Sequence, residues 1–265
     1  MTSPASFATA VQPIVADTLV ITPETGLRHG DIGVSTATGT MPAYFACPEG
    51  EGLHPIVLVI HEIFGLHEHI RDVVRRFAKA GYLAVAPELY FRLGRPQDAS
   101  SIDEIRANFV AKAPDATVLS DLDNSLAWAE AHGGDAARAT VTGFCWGGRI
   151  TWLYAAHQPK LRAAVAWYGR IDGPTDPLHP RHPIDLAATL KTPVLGLYGA
   201  KDAGIPLTDV ERLLSALATA GSPSTVHLYA GAPHAFFADY RPSYRAEAAD
   251  DGWRRALDWL QRHGA

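Results

Sequence analysis

Short apolar runs alternate along the chain with segments whose apolar residues recur at helical spacing. The clearest run, residues 55–60, is uninterrupted, which is typical of a strand buried on both faces of a parallel sheet. The next segment, residues 67–80, spaces its apolar positions by three and four, and Gly81 ends it as a helix would end. Upstream, residues 31–36 and 41–46 flank a Thr-Gly-Thr turn and predict a hairpin. Further strands are predicted at 82–86, 139–143, 163–168, 193–198 and 225–229, and further helices at 102–111, 115–132, 147–157, 207–220 and 244–262.

This alternation predicts an α/β fold, with a mostly parallel central sheet and helices on both faces. In such sheets the functional residues gather at the carboxyl ends of the strands. Residues 1–28 contain three prolines and no clear period, so they are predicted to form an N-terminal arm. Residues 29–265 are predicted to form one domain.

Composition and charge exclude several classes of protein. With 47% apolar and 19% charged residues, the 265-residue chain has the makeup of a globular protein, and its net charge of −5 gives no reason to expect nucleic-acid or membrane binding. No apolar run approaches the roughly 18 residues of a membrane-spanning helix. No Lys or Arg precedes Arg28, so a secretory signal is not expected either. We therefore expect a cytoplasmic protein, whose oligomeric state the sequence leaves open.

The segment 141–148, Val-Thr-Gly-Phe-Cys-Trp-Gly-Gly, lies between a predicted strand and a predicted helix and has the form G-x-C-x-G. This is the nucleophile-elbow pattern, with Cys145 in place of the usual serine. A strand that turns directly into a helix strains its central residue and leaves room only for glycine neighbours, while the helix N-terminus favours a thiolate. The alternative is a structural cysteine, which is how we interpret Cys47. The chemistry around Cys145 favours a free thiol over a disulfide between the two.

A carboxylate and a histidine follow Cys145 in the chain order that an elbow nucleophile requires. Asp202 comes shortly after the predicted strand 193–198, and His234 shortly after the predicted strand 225–229. Taken singly, Asp202 could be a turn residue and His234 a surface histidine. Together they predict a triad, in which Asp202 holds the His234 tautomer and His234 takes the thiol proton.

The chain resembles the dienelactone hydrolase (carboxymethylenebutenolidase) family of α/β-hydrolases from about Gly30 to the C-terminus. Five segments carry the resemblance: HEIFGL at 61–66, APELYFR at 86–92, GFCWGG at 143–148, GAKD at 199–202 and HAFFADY at 234–240. It implies that residues 29–265 are an α/β-hydrolase catalytic domain that cleaves small lactones or esters, with or without a carboxylate, through an acyl-thiol intermediate. No cofactor or metal is expected, and the expected partner is a small-molecule substrate.

The resemblance also implies roles near the end of the strand 55–60. Glu62 matches a glutamate thought to hold the resting thiol in an inactive pose until substrate displaces it, which would limit oxidation of the thiolate. The alternative for Glu62 is a solvated loop charge. The backbone N–H groups of Ile63 and Trp146 match the oxyanion hole of the family.

The substrate-binding residues implied by the resemblance are less complete. Arg92 matches an arginine that grips the substrate carboxylate, and Tyr168 matches a pocket tyrosine, although core packing would also explain Tyr168. Where the family has Ser after the catalytic His and Arg four positions after it, this chain has Ala235 and Ala238. Arg241 is a candidate replacement for that arginine, or else a surface residue.

Two histidine-rich segments raise a metal alternative. His61-Glu62 and His67-Glu68-His69 do not complete the H-E-x-x-H motif, so we interpret them as a loop and the exposed start of a helix. Two rival functions also stay open. The same triad would serve a short-chain thioesterase or acyltransferase, and a retired hydrolase scaffold would serve as a thiol sensor or binding module.

Overall fold

The centre of the molecule is an eight-stranded sheet, seen in a computed structural model that describes residues 7–265. The strands are β1 (Leu27–Thr36), β2 (Gly39–Pro48), β3 (His54–Ile60), β4 (Leu83–Pro87), β5 (Gly134–Phe144), β6 (Ala163–Trp167), β7 (Val194–Gly199) and β8 (Thr225–Tyr229). Their order across the sheet is β1-β2-β4-β3-β5-β6-β7-β8. The hairpin β1–β2 is antiparallel, and β2 pairs antiparallel with β4, whereas every pair from β4 to β8 is parallel. The mostly parallel sheet predicted from the sequence is therefore confirmed.

Helices cover both faces of this sheet, as predicted. The helices are α1 (Glu68–Lys79), α2 (Ile102–Asn108), α3 (Asp115–Ala131), α4 (Trp146–His157), α5 (Pro183–Leu186), α6 (Leu207–Thr219) and α7 (Ala246–Arg262). Phe77 of α1 packs against Trp253 of α7 with ring centroids 4.6 Å apart, while α3 packs against α4. All residues from 146 to 155 in α4 are buried, which explains why this helix has no regular polar face.

Two elements differ from the prediction. Strand β5 begins at Gly134 rather than at residue 139, because the polar residues at its start pair with β3 before a register shift between Pro55 and Ile56. Helix α5 lies in a Pro- and His-rich segment without helical spacing. It is a single turn whose first residue is Pro183. Reciprocal hydrogen bonds between His182 and Asp185 cap its N-terminus.

The described part of the N-terminal segment lies against the rest of the chain. Thr22 N donates to Asp72 Oδ1 of α1 at 2.6 Å, Thr18 Oγ1 donates to the carbonyl of Asp239 at 2.5 Å, and Phe7 is 5% exposed. Residues 1–6 of the predicted arm lie outside the described residues. Strand β1 begins at Leu27, within the predicted arm, and the division between arm and domain at residue 28 stays a prediction.

Neither cysteine is bonded to the other: Cys47 is buried in β2, and Cys145 is a free, partly exposed thiol. Within residues 7–265, no helix combines the length and apolarity that crossing a membrane requires.

Candidate active site

Cys145 stands at the turn from β5 into α4, where the elbow pattern predicts it. Its backbone has φ 57° and ψ −115°, a conformation that a non-glycine residue adopts only under strain. Its N–H donates to the carbonyl of Trp167 at 3.0 Å, which ties the turn to β6. A Cβ on Gly147 would stand 2.5 Å from the carbonyl oxygens of Ile60 and His61. The glycine is therefore required by the close approach of α4 to the end of β3.

Asp202 and His234 meet at the carboxyl ends of β7 and β8. His234 Nδ1 donates to Asp202 Oδ2 at 2.6 Å, and the Asp202 side chain is 1% exposed. The other carboxylate oxygen accepts the N–H of Gly204 at 2.9 Å, which fixes the plane of the carboxylate. This geometry assigns the proton of the neutral imidazole to Nδ1 and leaves its Nε2 edge for another partner.

Cys145 acts on this imidazole, since its charge and a side-chain hydrogen bond both raise the pKa of His234. Burial alone would lower the pKa of His234, but the charge of Cys145 and the hydrogen bond to Asp202 outweigh it and raise the pKa of His234 to about 10. The structure thus brings together the three residues predicted as a triad. Their chemical roles are taken up below.

Glu62 lies in the loop that follows β3 and is completely buried. Tyr240 Oη donates to its Oε2 at 2.6 Å, and His67 Nε2 lies 3.6 Å from the same oxygen. Burial would raise the pKa of Glu62, but His67, His69 and the cation of Arg241 lower it to about 2. Among residues 7–265, its Oε1 has no hydrogen-bond partner. Glu62 is therefore a buried carboxylate, and the alternative of a solvated loop charge is wrong.

Ile63 lies in the turn after β3, and Trp146 directly follows Cys145. Trp146 is the first residue of α4, where a backbone N–H has no acceptor within its own helix. Ile63 follows Glu62 in the loop after β3. Within residues 7–265, neither N–H donates to a protein acceptor. Both donors are therefore without a protein acceptor in this part of the chain, and their role as an oxyanion hole stays a prediction.

Tyr168 follows β6 and meets the ring of His234 edge-on, with centroids 5.2 Å apart. The residue is buried, and its backbone is left-handed with φ 38°. Within the described residues its hydroxyl has no hydrogen-bond partner, and burial raises the pKa of Tyr168 well above its usual value. Charges on Glu62, Cys145 and Arg241 all act on this hydroxyl, so it belongs to the same site.

The two arginines differ in their surroundings. Arg92 donates from Nη1 and Nη2 to the carboxylate of Asp121 at 2.6 and 2.9 Å, and from Nε to Thr38 at 2.5 Å. All three of its guanidinium nitrogens are thus bound within the protein, and these contacts do not favour the predicted grip on a substrate carboxylate. Arg241 lies beside the site, since Glu62 and Cys145 are among the charges that raise its pKa against the effect of burial.

The second metal-like segment lies at the start of α1, as predicted, but this helix start is buried, so the prediction that it is exposed is wrong. His67 and His69 are each 2% exposed; Tyr240 packs against both rings and Phe7 against His67. Within residues 7–265, no group of three His, Cys, Asp or Glu residues is placed to hold a metal ion.

The sequence interpretation gave no role to Tyr240, although it lies in the matched segment 234–240. A tyrosine six positions after a candidate base carries no spacing signal that links it to Glu62. The contact arises because the chain returns to the β3 loop, 178 residues away.

Comparison with known proteins agrees with this fold. The profile of the Dienelactone hydrolase family matches residues 41–264. A "Putative carboxymethylenebutenolidase" of Salmonella typhimurium is 50% identical over 99% of this chain and 97% of its own, and a protein of that name from Methylorubrum extorquens is 52% identical over 97% and 89%. The crystal structure titled as a putative dienelactone hydrolase from Klebsiella pneumoniae is 53% identical and covers 89% of this chain and 99% of its own, with a TM-score of 0.88.

A more distant likeness concerns the fold alone. The Pyrococcus horikoshii acylaminoacyl peptidase is 14% identical with a TM-score of 0.71, and it covers 90% of this chain and 42% of its own. The predicted α/β-hydrolase fold is confirmed, as is the prediction of an enzyme of the ester-hydrolase class. On the evidence of the family profile and of full-length relatives at half identity, the chain belongs to the dienelactone hydrolase family.

Proposed function

We propose that this enzyme hydrolyses small lactones or esters through a covalent acyl-thiol intermediate on Cys145. The observation that carries the proposal is the grouping of Asp202, His234 and Cys145, in which Asp202 binds Nδ1 of the imidazole and Cys145 interacts with the same ring. A base held in one tautomer beside a thiol at a helix N-terminus is suited to acyl transfer.

In the resting enzyme the Cys145 proton lies on His234, whose pKa is raised to about 10, and in the first half-reaction the Sγ thiolate bonds to the acyl carbon. The carbonyl oxygen becomes an oxyanion that accepts the N–H groups of Ile63 and Trp146. When the tetrahedral species collapses, the C–O bond to the leaving group breaks and the alkoxide takes the proton from His234. A lactone stays tethered at this point, since its leaving alcohol is part of the acyl group.

In the second half-reaction, water gives a proton to His234 and attacks the thioester carbon. The C–S bond then breaks, the carboxylic acid product leaves, and Cys145 is left as a thiolate beside protonated His234, which restores the resting pair. In the resting enzyme, Glu62 is proposed to restrain the thiol. We expect a cytoplasmic location, where a free thiol persists.

For substrate choice, we propose that Arg241 rather than Arg92 attracts a substrate carboxylate. Arg241 shares its electrostatic surroundings with Cys145 and Glu62, whereas Arg92 is bound to Asp121. Hydrolysis of a carboxylate-bearing lactone and of a neutral lactone would be compared in Arg241→Ala and Arg92→Ala. We expect Arg241→Ala to slow only the charged substrate, and equal rates from it and the wild type would refute the assignment.

The central test is a screen of p-nitrophenyl esters and lactones with the wild type, Cys145→Ala and Cys47→Ala. We expect activity on short acyl chains that falls at least about a thousandfold in Cys145→Ala. Cys47→Ala, which removes the buried structural thiol, controls for general loss of a cysteine. Equal rates from the wild type and Cys145→Ala would reject the proposal.

The same screen separates the rival functions. A thioesterase would prefer acyl thioesters, and an acyltransferase would pass the acyl group to an added alcohol instead of water. A thiol sensor would show no turnover with any of these substrates while Cys145 still reacts with oxidants.

A further inference from the structure

His61 is a completely buried residue at the end of β3 that the proposed mechanism does not use. Its Nδ1 lies 2.6 Å from the carbonyl oxygen of Glu62, and its Nε2 lies 3.1 Å from the backbone N–H of Leu89. Its ring stacks on Trp146 with centroids 5.3 Å apart at 20°, and it contacts Tyr90 at 5.0 Å. These contacts reach both of the turns that supply the proposed oxyanion donors.

The two hydrogen bonds define the protonation of the ring. A carbonyl oxygen only accepts, so Nδ1 must carry a proton that it donates to Glu62. The Leu89 N–H only donates, so Nε2 must present its lone pair. His61 is therefore neutral with its proton on Nδ1. This agrees with burial, which lowers the pKa of His61 and outweighs the opposite effect of Glu88, whose Oε1 lies 3.5 Å from Nε2.

The Glu62 carbonyl that His61 binds belongs to the same planar peptide unit as the Ile63 N–H. Because a peptide unit rotates as one rigid plane, a donor that fixes its oxygen also fixes the direction of its N–H. The Gly65 N–H also bonds this oxygen, at the longer distance of 3.3 Å. On the other side, the stacked His61 ring packs against the side chain of Trp146, whose own N–H is the second proposed donor.

We infer that His61 is a positioning residue that orients the Glu62–Ile63 peptide and buttresses Trp146, so that both oxyanion donors are set before substrate binds. This inference rests on the proposed function. It adds to that function a residue that touches neither substrate nor thiol and acts through two backbone amides. Donors that are fixed in advance stabilise a developing charge without the cost of reorganisation.

The test uses two variants of the full-length enzyme. His61→Phe keeps a ring to stack on Trp146 but loses both hydrogen bonds. His61→Asn places an amide nitrogen where Nδ1 lies, so it keeps a donor to the Glu62 carbonyl. We expect kcat to fall roughly ten- to a hundredfold in His61→Phe with KM nearly unchanged, because removing one oxyanion donor outright costs about a hundred- to a thousandfold. We expect His61→Asn to recover much of that loss.

Two further reactions separate positioning from a merely structural role. An aldehyde forms a hemithioacetal whose oxygen occupies the oxyanion site, so its inhibition constant should rise in His61→Phe in parallel with the loss of kcat/KM. Iodoacetamide alkylates the thiol at a saturated carbon and forms no oxyanion, so its rate should not change. Alkylation that slows together with hydrolysis would overturn the inference.

A measurement on the wild type covers the case in which His61→Phe does not fold. The ¹⁵N chemical shifts of the His61 ring should show the proton on Nδ1 at neutral pH, and a proton on Nε2 or a charged ring would overturn the inference. Failure of the proposed function is a separate outcome. Equal hydrolysis by the wild type and Cys145→Ala refutes that function, whereas hydrolysis that requires Cys145 and is unchanged in His61→Phe refutes only the role of His61.

Discussion

The hydrogen bond from Tyr240 to the buried carboxylate of Glu62 gives the most direct energetic prediction. The change Tyr240→Phe removes one oxygen atom and keeps the ring, which packs against Phe7, His67 and His69 at centroid distances of 5.1 to 5.3 Å. The variant should therefore fold with its core intact. The loss falls on Glu62 Oε2, which accepts this hydroxyl at 2.6 Å.

The size of the effect follows from the burial of the carboxylate. A hydrogen bond to a charged group is worth about 1.5–3 kcal/mol, and a buried carboxylate cannot replace it with water. Glu62 Oε1 already lacks a partner within residues 7–265, so little compensation is available. We expect Tyr240→Phe to lower the free energy of unfolding by about 2 kcal/mol, which corresponds to a melting temperature about 4–8 °C lower in a protein of this size.

The pH dependence of this loss identifies its cause. The pKa of Glu62 falls from 4.5 to about 2 on folding, so the charged carboxylate contributes stability that is present above pH 4.5 and is lost as the pH falls towards 2. Urea unfolding of both proteins at neutral pH and in acid would measure this. The difference between wild type and Tyr240→Phe should be full at neutral pH and shrink below pH 4.5.

A matched control is Tyr90→Phe, which removes a buried hydroxyl without a hydrogen-bond partner among the described residues. We expect that change to be neutral or slightly stabilising. A Tyr240→Phe loss of less than about 0.5 kcal/mol, or one that is the same at both pH values, would refute the reasoning, since 0.5 kcal/mol is the spread of ordinary surface substitutions.

Three further predictions concern the elbow and the triad. Gly147→Ala should unfold the protein or lower its melting temperature by several degrees, whereas Gly231→Ala, with open space around it, should not; equal melting temperatures would contradict the close-approach argument. Asp202→Asn should lower kcat by about 10⁴ with unchanged circular dichroism, because the amide favours the wrong tautomer of His234, and a loss below tenfold would exclude Asp202 from the triad. The pKa of His234, followed by NMR, should be about 10 in the wild type and lower in Cys145→Ser. An equal pKa in both proteins would contradict the Cys145–His234 interaction. Because folding raises the pKa of His234 above 6.5, the protonated ring stabilises the folded protein below pH 6.5, and this stabilisation is lost as the pH rises through 10.

Most of the sheet could be predicted because burial on both faces produces uninterrupted apolar runs, as in β3. The start of β5 could not, since its polar residues pair with the beginning of β3 without forming an apolar pattern. Helix α5 was missed because a single turn built on Pro183 is too short to show helical spacing. Hydrophobic periodicity thus finds the elements that bury one face or two, and misses those that local hydrogen bonds define.

The triad could be predicted because each of its members follows a strand, and parallel strands deliver their carboxyl ends to one edge. The environment of Glu62 could not. Tyr240, His67 and Phe7 come from three distant parts of the chain, and only the folded topology brings them together. The same holds for Arg92, whose pairing with Asp121 depends on where α3 lies against the hairpin. Sequence order locates groups on single loops, but it does not show which loops face each other.

The packing of the N-terminal residues has a practical consequence for anyone who trims this enzyme. The family profile begins at residue 41, yet Phe7 covers His67 and Tyr240, the two neighbours of the Glu62 carboxylate. A recombinant fragment cut at the profile boundary would lose β1 as well as Phe7, and water would reach that carboxylate from behind. We expect its acid tolerance and its turnover to differ from those of the full-length enzyme, so measurements on such a fragment would describe a different ionic environment.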